Sequence, residues 1–177
     1  MDSWVILLRG INVGGHGKLP MADLRYIVTA KGAQNVQTYI QSGNVTLQGP
    51  RPDAAALADE IEARHGFRRP IMVLSADEFG AIMRACPFEP AEGKHLHVFF
   101  TGPLDAPDLS APLALAEDDE QLFAGPNAVY LHAPGGIGRS KLAETLPNHL
   151  PPETTARNWN TVLKLAEMLA LGNSAAP

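Results

Sequence analysis

Residues 4–20 read WVILLRGINVGGHGKLP, and this stretch sets the pattern for the rest of the chain. Residues 4–8 form a continuous apolar run of strand length, which is typical of a central strand covered on both faces. After a glycine-rich connector, Pro20 suits the first position of a helix, and apolar residues then recur on one helical face up to Gly32. The stretch therefore predicts a strand, a loop and a helix.

The sequence that follows continues this order. Residues 36–41 and 44–48 carry β-branched and aromatic side chains on either side of a Ser-Gly turn, which predicts a β-hairpin. Asp53 is a suitable N-cap for an alanine-rich helix, and residues 70–74 have the composition of a further strand. The first half of the chain is therefore predicted to have the order βαββαβ.

The second half repeats this order with weaker signals. A strand is predicted at residues 95–101, a hairpin at 121–124 and 128–132, and helices at 105–116, 140–146 and 158–171. The predicted fold class is α+β, with two ferredoxin-like (βαββαβ) half-domains packed as one compact unit. The half-domains are expected to span residues 1–86 and 87–172, and residues 173–177 are expected to form a loose tail.

The composition indicates a soluble cytoplasmic protein. The chain has 177 residues, of which 45% are hydrophobic and 19% charged, as is ordinary for a globular domain. Its single cysteine, Cys86, excludes an internal disulfide, and no apolar stretch approaches the roughly 20 residues that cross a bilayer. The N-terminus lacks the features of a signal peptide, so no membrane partner is expected. No pattern identifies a cofactor, a catalysed reaction or an oligomeric state.

Charge is segregated along the chain, although the net charge is −5. Residues 3–52 contain five basic residues and one acidic residue, whereas residues 53–120 contain fourteen acidic and five basic residues. Residues 121–166 again carry more basic than acidic side chains, four against two. The two ends are therefore cationic in a protein that is an anion overall. This overall balance argues against a protein that coats DNA through bulk electrostatics.

The glycine-rich connector after the first strand is the first candidate site. It lies between a strand end and a helix start, where free backbone N–H groups and the helix dipole favour an anion. Arg9 and Lys18 add positive charge, while Gly14 and Gly15 allow close backbone approach. The connector lacks the complete pattern of a Walker loop or a dinucleotide fingerprint. The alternative is a structural loop in which Arg9 and Asn12 form hydrogen bonds within the connector itself.

A second glycine-rich loop, PGGIGRSKL at residues 134–142, also leads into a predicted helix. Arg139 and Lys141 make this loop cationic, and Ser140 is its predicted N-cap. If the two halves are related by approximate symmetry, both loops could flank one cleft, the kind of place where small molecules bind.

Two further polar motifs have both a structural and a functional interpretation. Ser42 and Asn44 flank a glycine in the first hairpin turn, where such residues are ordinary turn formers. In the motif TARNWNTV, Asn158 is the predicted N-cap at a helix start. Arg157 is either structural or a fork for phosphate or carboxylate, and Trp159 either packs or stacks on a base.

Metal binding is not predicted. His95 and His97 lie on the same face of a predicted strand without a suitable third ligand. The acidic run at residues 118–120 lacks the spacing of a calcium-binding loop. Cys86 has no sequence neighbour that would activate its thiolate, so an inert thiol is expected.

Several motifs together resemble those of one family. LLRGINVGG, MADLR and TYIQSGNV, followed much later by SKL and TARNWNTVLKLAEML, resemble the signature of an uncharacterised, mainly bacterial family, the domain of unknown function 1697. The resemblance spans nearly the whole chain and implies a pair of ferredoxin-like units. It implies no established activity, substrate or catalytic residue.

Three classes of function are compatible with these patterns. The leading prediction is a module that binds a small phosphorylated or carboxylated ligand, nucleotides included, in a cleft lined by the two cationic loops. The alternatives are a single-stranded nucleic-acid binding module and a protein-interaction domain whose polar motifs are structural. The candidate ligand-binding residues are Arg9, Asn12, Gly14, Gly15, Lys18, Ser42, Asn44, Arg139, Ser140, Lys141, Arg157 and Asn158. The cations expected to converge on one concave face are Arg9, Lys18, Arg139, Lys141 and Arg157.

Overall fold

The computed structural model describes residues 1–117 and 119–170. The predicted tail at 173–177, the end of the last predicted helix and Asp118 of the acidic run lie outside the described residues. Within the described residues the chain forms two four-stranded antiparallel sheets, which lie in two separate units.

The first unit comprises Met1–Gly80 together with the segment that begins at Leu165. Its strands and first two helices are β1 (Ser3–Leu8), α1 (Met21–Ala30), β2 (Gln34–Tyr39), β3 (Asn44–Gln48), α2 (Ala54–His65) and β4 (Ile71–Ser75). The strand order is β2-β3-β1-β4, and every neighbouring pair is antiparallel. The predicted βαββαβ order of a ferredoxin-like unit is therefore confirmed.

Strand β1 is covered on both faces, as its continuous apolar run predicts. One face carries Trp4, Ile6 and Leu8, which pack into the core formed with α1 and α2. On the opposite face, Val5 and Leu7 are also completely buried. The burial of adjacent residues explains why β1 shows no alternation of polar and apolar positions.

Helix α2 begins and ends where its cap residues predict. The side-chain oxygen Oδ1 of Asp53 accepts hydrogen bonds from the backbone N–H groups of Ala55 and Ala56, at 2.9 and 3.1 Å. Gly66 then ends the helix in the left-handed conformation, with φ of 74°. These local signals place the helix independently of its packing.

The second unit comprises Ala81–Lys164 and repeats the same topology. Its elements are β5 (Leu96–Phe100), α4 (Ser110–Leu113), β6 (Gln121–Ala124), β7 (Ala128–His132), α5 (Lys141–Thr145) and β8 (Thr155–Asn158). Short 3₁₀ helices occur at Gly93–His95, Ile137–Arg139 and Leu146–His149. The strand order is β6-β7-β5-β8, again wholly antiparallel. Helices α3 (Ala76–Arg84) and α6 (Trp159–Met168) directly follow β4 and β8.

Two parts of the second unit differ from the sequence-based prediction. The helix predicted at residues 105–116 is shorter, because only Ser110–Leu113 is helical in this proline-rich segment. Residues 155–158, interpreted from sequence as the approach to a helix, form strand β8. The sequence Thr-Ala-Arg-Asn lacks the apolar side chains that reveal a strand, and its pairing with β5 is a tertiary effect.

Candidate functional site

The glycine-rich connector after β1 forms a small hairpin of its own. Val13 and His16 pair as an antiparallel bridge, and the N–H of His16 donates to the carbonyl of Val13 at 3.0 Å. Gly14 and Gly15 form the turn between them with φ of 57° and 78°. Consecutive positive φ values are those of a type I′ turn, which glycine adopts without steric cost.

Asn12 fixes this hairpin to the body of the first unit. Its Nδ2 donates to the carbonyls of Leu19 and Gln41, at 2.9 and 2.7 Å, and its Oδ1 accepts from the N–H of Leu19 at 2.9 Å. Asn12 itself adopts a left-handed conformation with φ of 53°. The side-chain groups of Asn12 therefore bind neighbouring backbone, as its structural interpretation predicts, and ligand binding by Asn12 stays a prediction.

The polar side chains of the turn between β2 and β3 also form hydrogen bonds within the first unit. Asn44 is completely buried, and its Nδ2 donates to the carbonyl of Tyr39 and to Oγ of Ser42, at 3.1 and 2.9 Å. Gly43 has φ of 80°, and a Cβ atom there would lie 2.7 Å from Cβ of Leu8. Ser42 and Asn44 therefore have a structural role in shaping the turn.

Cations surround the hairpin at this end of the first sheet. Arg9 lies at the end of β1, where its backbone N–H donates to the carbonyl of Pro70 at 3.1 Å. Nε of Arg69 donates to the carbonyl of Gly10 at 3.4 Å, and the Arg69 guanidinium lies 5.8 Å from the ring centre of Phe67. Among the described residues, neither Lys18 nor Arg69 is paired with a carboxylate.

Three cations of the acidic central segment contact carboxylates instead. Arg64 contacts Glu60, and Lys94 contacts Glu92. Arg68, the residue next to Arg69, contacts Asp59 and Glu62. Arg69 lies in the same acidic segment but, like Lys18, contacts no carboxylate of the described residues.

Arg69 is a candidate that sequence reasoning missed. It follows Arg68 just before β4, and the antiparallel pairing of β1 with β4 places the start of β4 beside the end of β1. A βαββαβ topology with this strand order would have revealed the proximity of Arg69 to the hairpin.

The second glycine-rich loop has a different topological position. The hairpin of the first unit follows its first strand, whereas residues 133–140 follow β7, the third strand of the second unit. Oγ of Ser140 accepts from the N–H of Ala143 at 2.9 Å, so the predicted N-cap is confirmed. Arg139 and Lys141 are exposed, and neither forms an ion pair within the part of the chain that the structure describes.

Arg157 lies in β8 and is largely buried. Only 9% of its surface is exposed, and burial lowers the pKa of its guanidinium to about 10. Its Nη1 donates to Oγ1 of Thr155 and to the carbonyl of Ala156, at 2.7 and 2.8 Å. Arg157 directly precedes the N-cap Asn158, but it belongs to a strand that sequence did not predict, in which it pairs with Val98 of β5.

Asn158 ends β8 and caps the next helix. Its Oδ1 accepts from the N–H of Thr161 at 3.0 Å, which confirms the predicted N-cap of α6. Asn158 pairs with His97, and His132 at the end of β7 pairs with Leu96. The second loop and Asn158 therefore lie at the same end of the second sheet. The convergence of all five candidate cations on one face stays a prediction.

His97 is a half-buried titratable group in the second unit. Its Nδ1 is buried and makes no hydrogen bond to any residue of the described ranges. Burial, with a smaller contribution from the charge of His95, lowers the pKa of His97. The residues that the structure describes contain no cluster of three or more side chains suited to a metal ion.

The family of the protein follows from comparison with known sequences. Residues 1–130 match the family described as a protein of unknown function, DUF1697. The chain belongs to this family. No curated protein matches the chain. The family resemblance inferred from the short motifs is therefore confirmed over most of the chain.

The DUF1697 chain is also similar to a protein of known structure. It shares 26% sequence identity with the conserved bacterial protein SP0830 from Streptococcus pneumoniae, with a TM-score of 0.70. The match covers 95% of this chain and 98% of that protein. Within the described ranges, no helix has both the length and the apolar character needed to cross a membrane.

Proposed function

We propose that this protein binds a small phosphorylated or carboxylated ligand at the hairpin formed by residues 10–18. One observation carries the proposal: backbone N–H groups and cations suited to an anion lie in or beside this hairpin, where Arg69 donates to the carbonyl of Gly10. Over the described residues, the backbone N–H groups of Gly14 and Gly15 make no hydrogen bond, and Lys18 and Arg69 contact no carboxylate.

The geometry of the hairpin favours an anion over other ligands. Backbone N–H groups exposed in a turn make an anion-binding concavity, and the absence of side chains at Gly14 and Gly15 lets a ligand approach closely. Asn12 holds the hairpin through three hydrogen bonds, so binding requires little reordering of the loop. The guanidinium of Arg69 supplies planar paired donors, and Lys18 supplies a mobile point charge.

A small ligand is favoured over a single-stranded nucleic acid. Modules that bind single strands on a sheet use exposed aromatic side chains as stacking platforms. In the first unit, the side chains of β1 are buried on both faces of the sheet. The second glycine-rich loop, with Arg139 and Lys141, is a separate candidate for anion binding. Substitutions in that loop are required to test it.

A thermal-shift screen tests the proposal with inorganic phosphate, nucleotides, sugar phosphates, carboxylate metabolites and short oligonucleotides at fixed salt. A ligand at about a hundred times its dissociation constant stabilises by roughly 2.7 kcal/mol, equivalent to about 5–10 °C for a chain of this size. We expect a selective small anion among the hits. If no compound in the panel raised the melting temperature, the proposal would be contradicted. Stabilisation by oligonucleotides alone would indicate nucleic-acid binding instead.

Two neighbouring arginines provide a matched control. Arg69→Ala and Lys18→Ala are expected to weaken binding of the best ligand by about tenfold or more, because each removes a charged donor. Arg68→Ala removes an arginine that already contacts Asp59 and Glu62, so it is expected to leave the affinity unchanged. Equal losses in Arg68→Ala and Arg69→Ala would indicate a non-specific effect of net charge and would contradict this site.

A further inference from the structure

A second candidate binding site lies in the first unit, between the end of α1 and the start of α2. A cavity of about 250 Å³ is enclosed there by the two helices and the segment that joins β3 to α2. Val28, Ala33 and Leu57 give it an apolar lining, and most of its wall surface is nonpolar. None of the residues proposed for the hairpin site contributes to it.

The wall of this cavity is preformed, because local backbone constraints and hydrogen bonds fix it. Pro50 and Pro52 line it, and their rings restrict the backbone of the connecting segment. Oδ1 of Asp53 accepts hydrogen bonds from the first N–H groups of α2, so this carboxylate is engaged in capping the helix. A preformed apolar cavity with a few polar groups at its edge is typical of small-molecule sites.

Two cations outnumber the one carboxylate, Asp53, in the lining of the cavity, so the charge of the lining is positive on balance. Lys31 and Arg51 both line it and are both exposed at its edge. The Arg51 guanidinium lies 5.7 Å from the ring centre of Trp4, which positions it by a cation–π contact. Neither cation forms an ion pair with the residues described in the structure. An occupant with a negative end is therefore matched to this edge.

We propose that this cavity binds a small monocarboxylate with an apolar body, its carboxylate directed to Lys31 and Arg51. At the roughly 30 Å³ that a water molecule occupies in the liquid, the volume suits about eight non-hydrogen atoms. Hexanoate has this size, and its alkyl chain matches the lining of Val28, Ala33 and Leu57. The site is independent of the proposed function, because it uses different residues.

The test is a titration of the ¹⁵N-labelled protein with hexanoate, hexan-1-ol and hexylammonium, followed by amide chemical shifts. Hexanoate is expected to give saturable shifts at Val28, Ala33 and Leu57 and to bind about tenfold more tightly than hexylammonium. Comparable binding of the two ions, shifts confined to other regions, or no saturable shift would overturn the proposal.

Variants separate this cavity from the rest of the molecule. Ala56→Phe places a ring in the cavity and is expected to weaken hexanoate binding by about tenfold or more. Its control is Ala63→Phe, which adds the same ring at an exposed position of α2. Unchanged binding in a folded Ala56→Phe protein would refute the site.

Charge variants test the same site without filling it. The double substitution of Lys31 and Arg51 by alanine is expected to reduce hexanoate affinity to that of hexan-1-ol, and hexanoate preference that survives would also refute the site. Lys18→Ala is expected to leave hexanoate binding unchanged. The proposal of anion binding at the hairpin and the proposal of hexanoate binding in the cavity can therefore be refuted separately.

Discussion

Replacement of Gly43 by alanine is expected to destabilise the protein strongly, whereas the same replacement at Gly14 is expected to have a small effect. Both glycines have positive φ, 80° at Gly43 and 57° at Gly14. They differ in the space around them. A Cβ atom on Gly43 would lie 2.7 Å from Cβ of Leu8 and 2.8 Å from Cδ1 of Ile11, while one on Gly14 would have no neighbour within 4 Å.

The difference in space sets the size of the two effects. A side chain in the left-handed region costs roughly 1–2 kcal/mol at either position. At Gly43 the new methyl group also overpacks against Leu8 and Ile11, each of which is only 1% exposed, and overpacking of a core costs about 1–3 kcal/mol more. We therefore expect Gly43→Ala to lower the free energy of unfolding by about 2–5 kcal/mol, and Gly14→Ala by about 1–2 kcal/mol.

Urea unfolding followed by circular dichroism measures both free energies under the same conditions. A loss at Gly43 that is no larger than the loss at Gly14 would refute the close packing of this turn against β1. The comparison also bears on function, because a folded Gly14→Ala protein allows anion binding at the hairpin to be measured with the scaffold intact.

Three further predictions concern the second unit. Because burial depresses the pKa of His97, the unfolded chain binds more protons below about pH 7, so stability should fall as the pH is lowered through the ordinary histidine pKa near 6.5. The urea midpoint should fall less steeply with decreasing pH in His97→Gln than in the native protein. Identical pH profiles of the two proteins would show that His97 does not contribute to this pH dependence. Arg157→Ala should lower the free energy of unfolding by about 2 kcal/mol or more, since it removes a buried stem and hydrogen bonds to Thr155 and Ala156, whereas an unchanged melting temperature would argue against that packing. Burial raises the pKa of the Cys86 thiol, so iodoacetamide should alkylate it about tenfold more slowly in the folded protein than in urea, and equal rates would contradict its burial.

Local signals explain which parts of the fold were predictable. The apolar run of β1, the turn residues of both hairpins and the caps at Asp53, Ser140 and Asn158 act over a few residues, so sequence alone locates them. Strand β8 lacks such a signal because its residues are polar and its position depends on pairing with β5. The local sequence pattern missed β8 because this strand forms through pairing with β5.

The candidate sites were harder to predict from the sequence, because the role of a polar side chain depends on which distant segments fold next to it. Asn12 and Asn44 occur in polar loops that suit a ligand, yet their amides bind backbone groups of adjacent segments. Arg69 lies near the hairpin because β4 pairs with β1, and the local sequence does not reveal this pairing. Lys31 and Arg51 are far apart in sequence, and only the folded chain places them around one cavity.

Amide chemical-shift mapping with inorganic phosphate tests the central proposal most directly. In a titration at fixed pH and ionic strength, we predict saturable shifts of the Gly14, Gly15 and Lys18 amides, with a dissociation constant that rises about tenfold or more in Arg69→Ala and is unchanged in Arg68→Ala. Shifts that are absent from the hairpin in the native protein, or that persist equally in both arginine variants, would contradict anion binding at this site.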